Sequence, residues 1–340
     1  MSDHDAQAVL NIFSGCCTKF QLQRVEHLGF SGSTLWKVVP LEATSWPSPL
    51  CLKRWPADHP PPARLSWIHQ VLLHAVANGI DYVPRPILTR SGQSDCRYAG
   101  STWELMTWLP GEVDESPTPA AERVSAAFRA LARFHQVAAN YGTNSAGDKY
   151  KTLAIMERLA RYRELLNRKI EVCRRAVEER RIPAIDDLAH EWLARHSQLP
   201  PEILQQLEIA DRWQLPLQPA IRDLWRDHVL FSGNEVSGFL DFGAMRKDTP
   251  LTDIARLIGS LTKDERSLRE LARAAYSELI PLSPRDCELI ELLDYSGTLI
   301  AGWNWLEWLY VEQRRFPSQA AIRARLQNLL SRRLSTQNFP

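Results

Sequence analysis

Between Ile221 and Gly243 the chain carries a pattern that few backbones can satisfy. Ile221-Arg222-Asp223-Leu224-Trp225-Arg226-Asp227-His228 reads as a loop. Val229-Leu230-Phe231 is apolar, Ser232-Gly233-Asn234 breaks it, and Val236-Ser237-Gly238-Phe239-Leu240 resumes before Asp241-Phe242-Gly243. Short apolar runs divided by such a turn spell a hairpin. A hairpin returns the chain to where it entered, so Asp223, His228 and Asp241 are expected at the same end. A carboxylate, an imidazole and a second carboxylate gathered there suit activation of a hydroxyl and retention of a divalent cation beside a nucleotide.

The plainer explanation is an ordinary hairpin whose Asp residues cap turns. Spacing decides between the two. Kinase catalytic loops place an Asp base and a metal-binding side chain five residues apart, then a hairpin, then the Asp of Asp-Phe-Gly. Here Asp223 and His228 are five apart, and Asp241 follows one hairpin later. The layout is that of a kinase-type phosphotransferase site, with Asp223 as base and Asp241 and His228 holding Mg²⁺. Imidazole is an unusual choice for magnesium, which prefers oxygen. Asp227 is a turn carboxylate or an alternative base.

Composition narrows the partners. Forty-one basic and forty acidic side chains leave a net charge of +1, so the chain has no electrostatic footprint for nucleic acid. The run from Arg158 to Arg181 is interleaved with Glu164, Glu171, Glu178 and Glu179, as on a solvated helix face. Six scattered cysteines, with only Cys16 and Cys17 close, show no metal-ligand spacing and imply reduced thiols. Met1 to Ala8 lacks a basic-then-apolar leader, and no run approaches the roughly 18 apolar residues of a membrane span. These features predict a cytoplasmic protein without a membrane partner. They leave the oligomeric state open.

At 340 residues there is room for two lobes, each with its own core. Phe20 to Leu28, Thr34 to Val39, Leu50 to Trp55 and Ser101 to Leu109 read as strands, with one helix over Ala63 to Ala77. Leu109-Pro110-Gly111 marks a boundary. Beyond it, helical spacing covers 120–140, 153–177, 185–197, 251–261, 267–279 and 285–311. The expected fold is α+β and two-lobed: a β-rich nucleotide-binding lobe over 1–109 and a larger, mostly helical lobe over 110–340 holding the catalytic loop and the substrate site.

Other residues take meaning from their place. The loop Gly29-Phe30-Ser31-Gly32-Ser33, between two strands, suits close approach to nucleotide phosphates, although glycines build any turn. Lys53 lies one strand further on and can reach the α- and β-phosphates. Neighbouring Arg54 points to the opposite face of its strand. His135 reads as a structural histidine on an apolar helix face. Asp253 is an N-terminal helix carboxylate or a buried anchor for the catalytic loop. The run Trp303 to Tyr310 is core by default, with a cationic or sugar-like ligand as the other reading.

With these pieces in order, the chain resembles the aminoglycoside phosphotransferase and choline kinase-like family of small-molecule kinases, which have a protein-kinase-like fold. The matching segments are the glycine loop, Leu52-Lys53, Trp103 to Gly111, Leu131-Ala132-Arg133-Phe134-His135, the Asp223 loop, Asp241-Phe242-Gly243 and Asp253-Ile254-Ala255. The resemblance implies transfer of the ATP or GTP γ-phosphate to a hydroxyl of a small molecule, an aminoglycoside, sugar or amino-alcohol, with Mg²⁺. It also implies a nucleotide base received by Glu104, Leu105, Met106 and Thr107. Three departures stand out. Ile221-Arg222-Asp223 replaces the usual His-Gly-Asp, and His228 stands where Asn is usual. Ser66-Trp67-Ile68-His69-Gln70 has no acid to pair with Lys53. The alternatives are a pseudokinase that binds nucleotide without transfer, and a transition-metal hydrolase using Asp223, Asp227, His228 and Asp241.

Overall fold

The computed structural model describes residues 3–13, 19–26, 30, 32–42, 46–56, 59–142 and 149–332. The chain divides into two compact units. The first comprises Met1–Glu115, Arg133–Gly142 and Ile221–Arg246; the second comprises Ser116–Ala132, Thr143–Ala220 and Lys247–Pro340. The Asp223 loop and its hairpin thus group with the N-terminal segment, whereas chain order had placed them with the helices.

The first unit is built on an antiparallel sheet of five strands: β1 (Phe20–Val25), β2 (Thr34–Pro40), β3 (Leu50–Arg54), β4 (Cys96–Tyr98) and β5 (Ser101–Thr107), in the order β1-β2-β3-β5-β4. Strand alternation sorts its two faces. Trp36, Val38, Leu50, Leu52, Trp103 and Leu105 join Ala6, Val9, Leu10 and Phe13 of the N-terminal segment in one buried cluster. The helix α1 (Asp3–Leu10) therefore covers one face, although its acidic start concealed it in the sequence. Each of the buried leucines contributes roughly 1.5–3 kcal/mol on leaving water. Trp36 stacks on Trp103 at 5.4 Å.

Helix α2 (Pro62–Ala77) begins with proline at its first turn, where no amide bond is lost, and buries Leu65, Ile68, His69, Val71, Leu72 and Ala75. After β5 the chain makes a close approach at Gly111. Its φ is +101°, and a Cβ there would lie 2.1 Å from Ser237 Oγ, so only glycine fits. The strand β6 (Glu112–Val113) then pairs with Val229–Ser232, which in turn pairs with Glu235–Phe239. Ser237 Oγ donates to Pro110 O at 2.7 Å, and Phe239 N donates to Tyr82 O at 2.7 Å. The expected hairpin is present and fastened at both ends.

The second unit is mostly helical, with short strands such as Lys149–Tyr150 and Leu215–Pro216. Leu153–Glu164 and Ile170–Glu179 are joined by a π-helical turn at Leu165–Lys169, and Pro284–Leu306 ends in another at Glu307–Val311. Asp186–His196, Leu251–Thr262 and Arg266–Ser277 match the expected helical spacing. Two further helices, Pro201–Ala210 and Gln319–Leu330, had no sequence counterpart. The first opens on Pro200-Pro201, which reads as a break until proline is recognised as a first-turn residue. No described helix is long and apolar enough to cross a membrane.

Candidate active site

The loop Ile221–His228 is held by its apolar members. Ile221 and Leu224 are fully buried, and Arg226 is buried with its guanidinium donating to Asp114 O. Arg222 has φ +67°, the left-handed region that favours glycine. It occupies the middle position of Ile-Arg-Asp, so the replacement of glycine noted in the sequence falls at a strained residue. Asp223 is half-buried, while Asp227 is exposed and only 4.0 Å from Arg226 Nε. The alternative base therefore sits on the outer side of the loop.

His228 is engaged at both ring nitrogens. Its Nδ1 lies 2.7 Å from Asp223 O, and its Nε2 lies 3.1 Å from Trp225 Nε1. A carbonyl only accepts and an indole N–H only donates, so the proton is on Nδ1 and Nε2 is the acceptor. The ring braces the Asp223 backbone through the one nitrogen. The lone pair a metal would need is already taken by Trp225.

Asp241 closes the second strand at φ +56°, another left-handed non-glycine residue. Phe242 is buried, its ring 6.0 Å from that of Phe134. The Asp241 carboxylate meets Lys53 Nζ at 3.2 Å, across 188 residues of sequence. Burial pushes this carboxyl up, yet the Lys53 ammonium beside it, the nearby His228 and the Gly243 amide outweigh burial and hold it down to about 2. It is therefore an anion at any physiological pH. Strand alternation behaves as expected, because Lys53 turns to Asp241 while Arg54 donates to Thr34 Oγ1 at 3.2 Å. Lys53 Nζ also lies 3.5 Å from the centroid of the Trp55 ring.

Among the described residues no helix acid pairs with Lys53. His69, on α2, instead meets Glu104 Oε2 at 2.9 Å, with both side chains buried. Glu104 thus faces the helix, not a ligand. The main chain of this strand is also committed: Ile87 N donates to Leu105 O at 2.8 Å, Thr107 N to Arg85 O at 3.0 Å, and Trp108 N to Pro49 O at 3.1 Å. Met106 pairs with Cys51 across the sheet. Burial pushes the Cys51 thiol up to about 12, so it is no nucleophile.

Of the glycine loop, Gly29 and Ser31 lie outside the described residues. Gly32 has φ +73° and Ser33 is buried. Elsewhere, His135 and Asp253 are fully buried. In the second unit Trp303, Trp305 and Tyr310 are buried and Glu307 is paired with Arg161 and Lys169, so these members of the aromatic run are core, while Trp308 is half-buried. Among the described residues no group of three or more His, Cys, Asp or Glu side chains is placed to hold a metal ion. A hydrolase of the three-ligand type lacks its ligand set there. Two residues at the site had drawn no role from the sequence, Trp225 and Trp55. The available signal was position: Trp225 lies three residues before His228, and Trp55 lies two after Lys53, on the same strand face.

A small antiparallel sheet with an inward lysine, and a catalytic-type loop followed by a hairpin ending in Asp-Phe-Gly, define a protein-kinase-like fold with a phosphotransferase site. Residues 38–287 match the sequence profile of the phosphotransferase enzyme family (APH), and the chain belongs to that family. Among solved structures it is similar to an aminoglycoside phosphotransferase from Alicyclobacillus acidocaldarius, at 18% identity over 96% of this chain and 92% of that one, with a TM-score of 0.61. It is also similar to an amicoumacin kinase seen in complex with AMP-PNP and Ca²⁺, at 13% identity, 100% and 96% coverage and a TM-score of 0.64. A choline kinase from Cryptosporidium parvum aligns at 12% identity, 97% and 95% coverage and a TM-score of 0.59. At these identities the likeness is one of fold. No curated protein sequence matches the chain.

Proposed function

We propose that this small-molecule phosphotransferase moves the γ-phosphate of ATP, or of GTP, to a hydroxyl of an aminoglycoside, sugar or amino-alcohol. The observation that carries the reading is the Lys53–Asp241 pair at 3.2 Å, joined by the hairpin to the loop of Asp223. The relatives named for aminoglycoside and choline substrates support the choice of acceptor classes.

In this reading Asp223 orients the acceptor hydroxyl and takes its proton as the new O–P bond forms and the bond from the γ-phosphorus to the β,γ-bridging oxygen breaks, releasing the nucleoside diphosphate. Lys53 turns from Asp241 to the α- and β-phosphates, where its charge offsets theirs. Gly32 and Ser33, with Gly29 and Ser31, follow the phosphates with backbone amides. In this reading the base, expected at Glu104–Thr107, is met at the end of that segment by the Thr107 carbonyl and beyond it by the Leu109 amide, since main-chain groups of Leu105, Thr107 and Trp108 are committed elsewhere. Asp241 fits a divalent cation: it is anionic, a third exposed and an oxygen donor. Such a cation supplies charge neutralisation on the transferring phosphoryl group. His228 fits less well, since ligation requires Trp225 to release Nε2. We assign His228 to bracing Asp223.

The test is a screen of hydroxyl compounds from the three classes for ATP or GTP consumption by the purified chain with Mg²⁺. Phosphorylation of at least one, with kcat lowered about 10²- to 10⁴-fold in Asp223→Ala, is the expected result. Turnover unchanged in Asp223→Ala would remove the assigned role, and ATP binding without transfer to any acceptor would favour a nucleotide-binding module.

A further inference from the structure

Trp55 is a buried residue packed beside Lys53. It follows the last residue of β3, and its amide continues the sheet by donating to Thr102 O at 2.9 Å. Two residues after Lys53, it shares that residue's face of the strand. The Lys53 ammonium rests on the ring at 3.5 Å from the centroid. The far edge of the same ring abuts Gly243 of Asp-Phe-Gly, where an added Cβ would lie 2.7 Å from it. Trp55 is buried, yet its Nε1–H finds no partner among the described residues. Leaving such a donor unsatisfied costs about 1–3 kcal/mol. The same unpartnered indole recurs at the core residues Trp192 and Trp303, so what sets Trp55 apart is its pair of contacts, with Lys53 and with Gly243.

Across β3 and β5 Lys53 stands opposite Glu104, whose carboxylate is engaged by His69. Helix α2 has no acidic residue at all, and His69 is taken by Glu104. Asp241 makes one contact with Lys53. That contact is given up when the carboxylate turns to a cation.

We propose that Trp55 is the positioning residue for Lys53. Its ring face holds the ammonium by a cation–π contact in place of a helix carboxylate, and its edge ties that position to the Asp-Phe-Gly turn. This rests on the reading of Lys53 as the nucleotide-phosphate lysine. A neutral ring suits the task, because it aims the ammonium without competing with phosphate for its charge. Tryptophan offers the strongest such face among the aromatic side chains.

Two measurements on the full chain test it. In nucleotide-free protein, the ε-methylene proton resonances of Lys53, assigned by their loss in Lys53→Arg, are expected upfield from ring-current shielding. They return to ordinary positions in Trp55→Leu. Calorimetric titration with Mg·ATP is expected to show about tenfold weaker binding in Trp55→Leu and less than threefold in Trp55→Phe. A series of fluorinated tryptophans at position 55 withdraws charge from the ring face at nearly constant shape, so the Kd for Mg·ATP should rise with each added fluorine. This series stands even where Trp55→Leu fails to fold. Unshifted Lys53 resonances, or a flat fluorine series, overturn the proposal. If the wild-type chain binds no Mg·ATP while the resonances are shifted, the kinase reading has failed and the nucleotide role of Trp55 falls with it.

Discussion

Two sets of opposite charges, one in each unit, use the same chemistry to different ends. In the second unit Arg332 meets Asp264 and Asp294 at 2.8 Å, Arg269 meets Asp294 at 3.0 Å and Glu291 at 2.5 Å, and Arg273 meets Glu291 at 2.6 Å. Arg269 and Asp294 are buried, and the other four side chains are half-buried. In the first unit one lysine meets one aspartate at 3.2 Å, and the aspartate is a third exposed. Planar guanidinium groups satisfy several carboxylate oxygens at once and leave nothing over. A flexible ammonium with a single contact can change partners. Charges closed into a network hold a fold together, whereas a lightly tied pair remains available for a ligand.

The sharpest way to break this contrast is a matched pair of deletions. Asp241→Ala should lower the phosphotransfer rate by about 10³-fold or more, because a cation ligand is worth several kcal/mol in the transition state. Its unfolding free energy, from urea titration, should move by no more than about 1 kcal/mol. Asp294→Ala should do the reverse. Breaking a buried pair leaves uncompensated charge on Arg269 and Arg332 and costs roughly 3–5 kcal/mol, read from the same titration. The rate per folded molecule should stay unchanged. Similar stability losses in both variants would erase the distinction.

A smaller effect comes from pH. The Asp241 carboxyl is held at about 2, below its unfolded value near 3.8. The unfolded chain therefore binds the proton first. The resulting stability is fully present above about pH 4 and is lost as pH falls toward 2. Solvent screening of a partly exposed pair limits it to about 1 kcal/mol. Urea midpoints of wild type and Asp241→Asn should accordingly converge between about pH 4 and 2, and parallel curves would contradict the pairing. Smallest of all are the left-handed residues. Lys263 ends the helix Leu251–Thr262 at φ +48°, so Lys263→Gly should add up to about 1 kcal/mol without touching the rate. Arg222→Gly should relieve similar strain inside the loop, and any change in its rate would mark that strain as part of the site.

Much of the site was legible in short-range pattern. The hairpin, the five-residue step from Asp223 to His228, and the opposed faces of Lys53 and Arg54 all follow from strand alternation and turn chemistry. The family resemblance, confirmed by the profile match over 38–287, rested on the same segments. Harder to see were α1, with its acidic start, and Pro201–Ala210, which begins with a residue that usually ends helices. Gln319–Leu330 is capped by Ser318, whose side chain accepts from Ala321 N at 3.1 Å, a signal too short to register without its packing partner.

By itself the sequence determined the longer strands and most of the helices, and which side chains share a strand face, because periodicity reports local backbone geometry. Only the tertiary structure decided which charges meet. Lys53 found Asp241 from 188 residues away, His69 took Glu104, and Trp225 claimed the nitrogen of His228 that the spacing had reserved for a metal. Partner choice depends on burial, on competing donors and on the desolvation each charge must offset, and none of these is written in the spacing of residues along the chain.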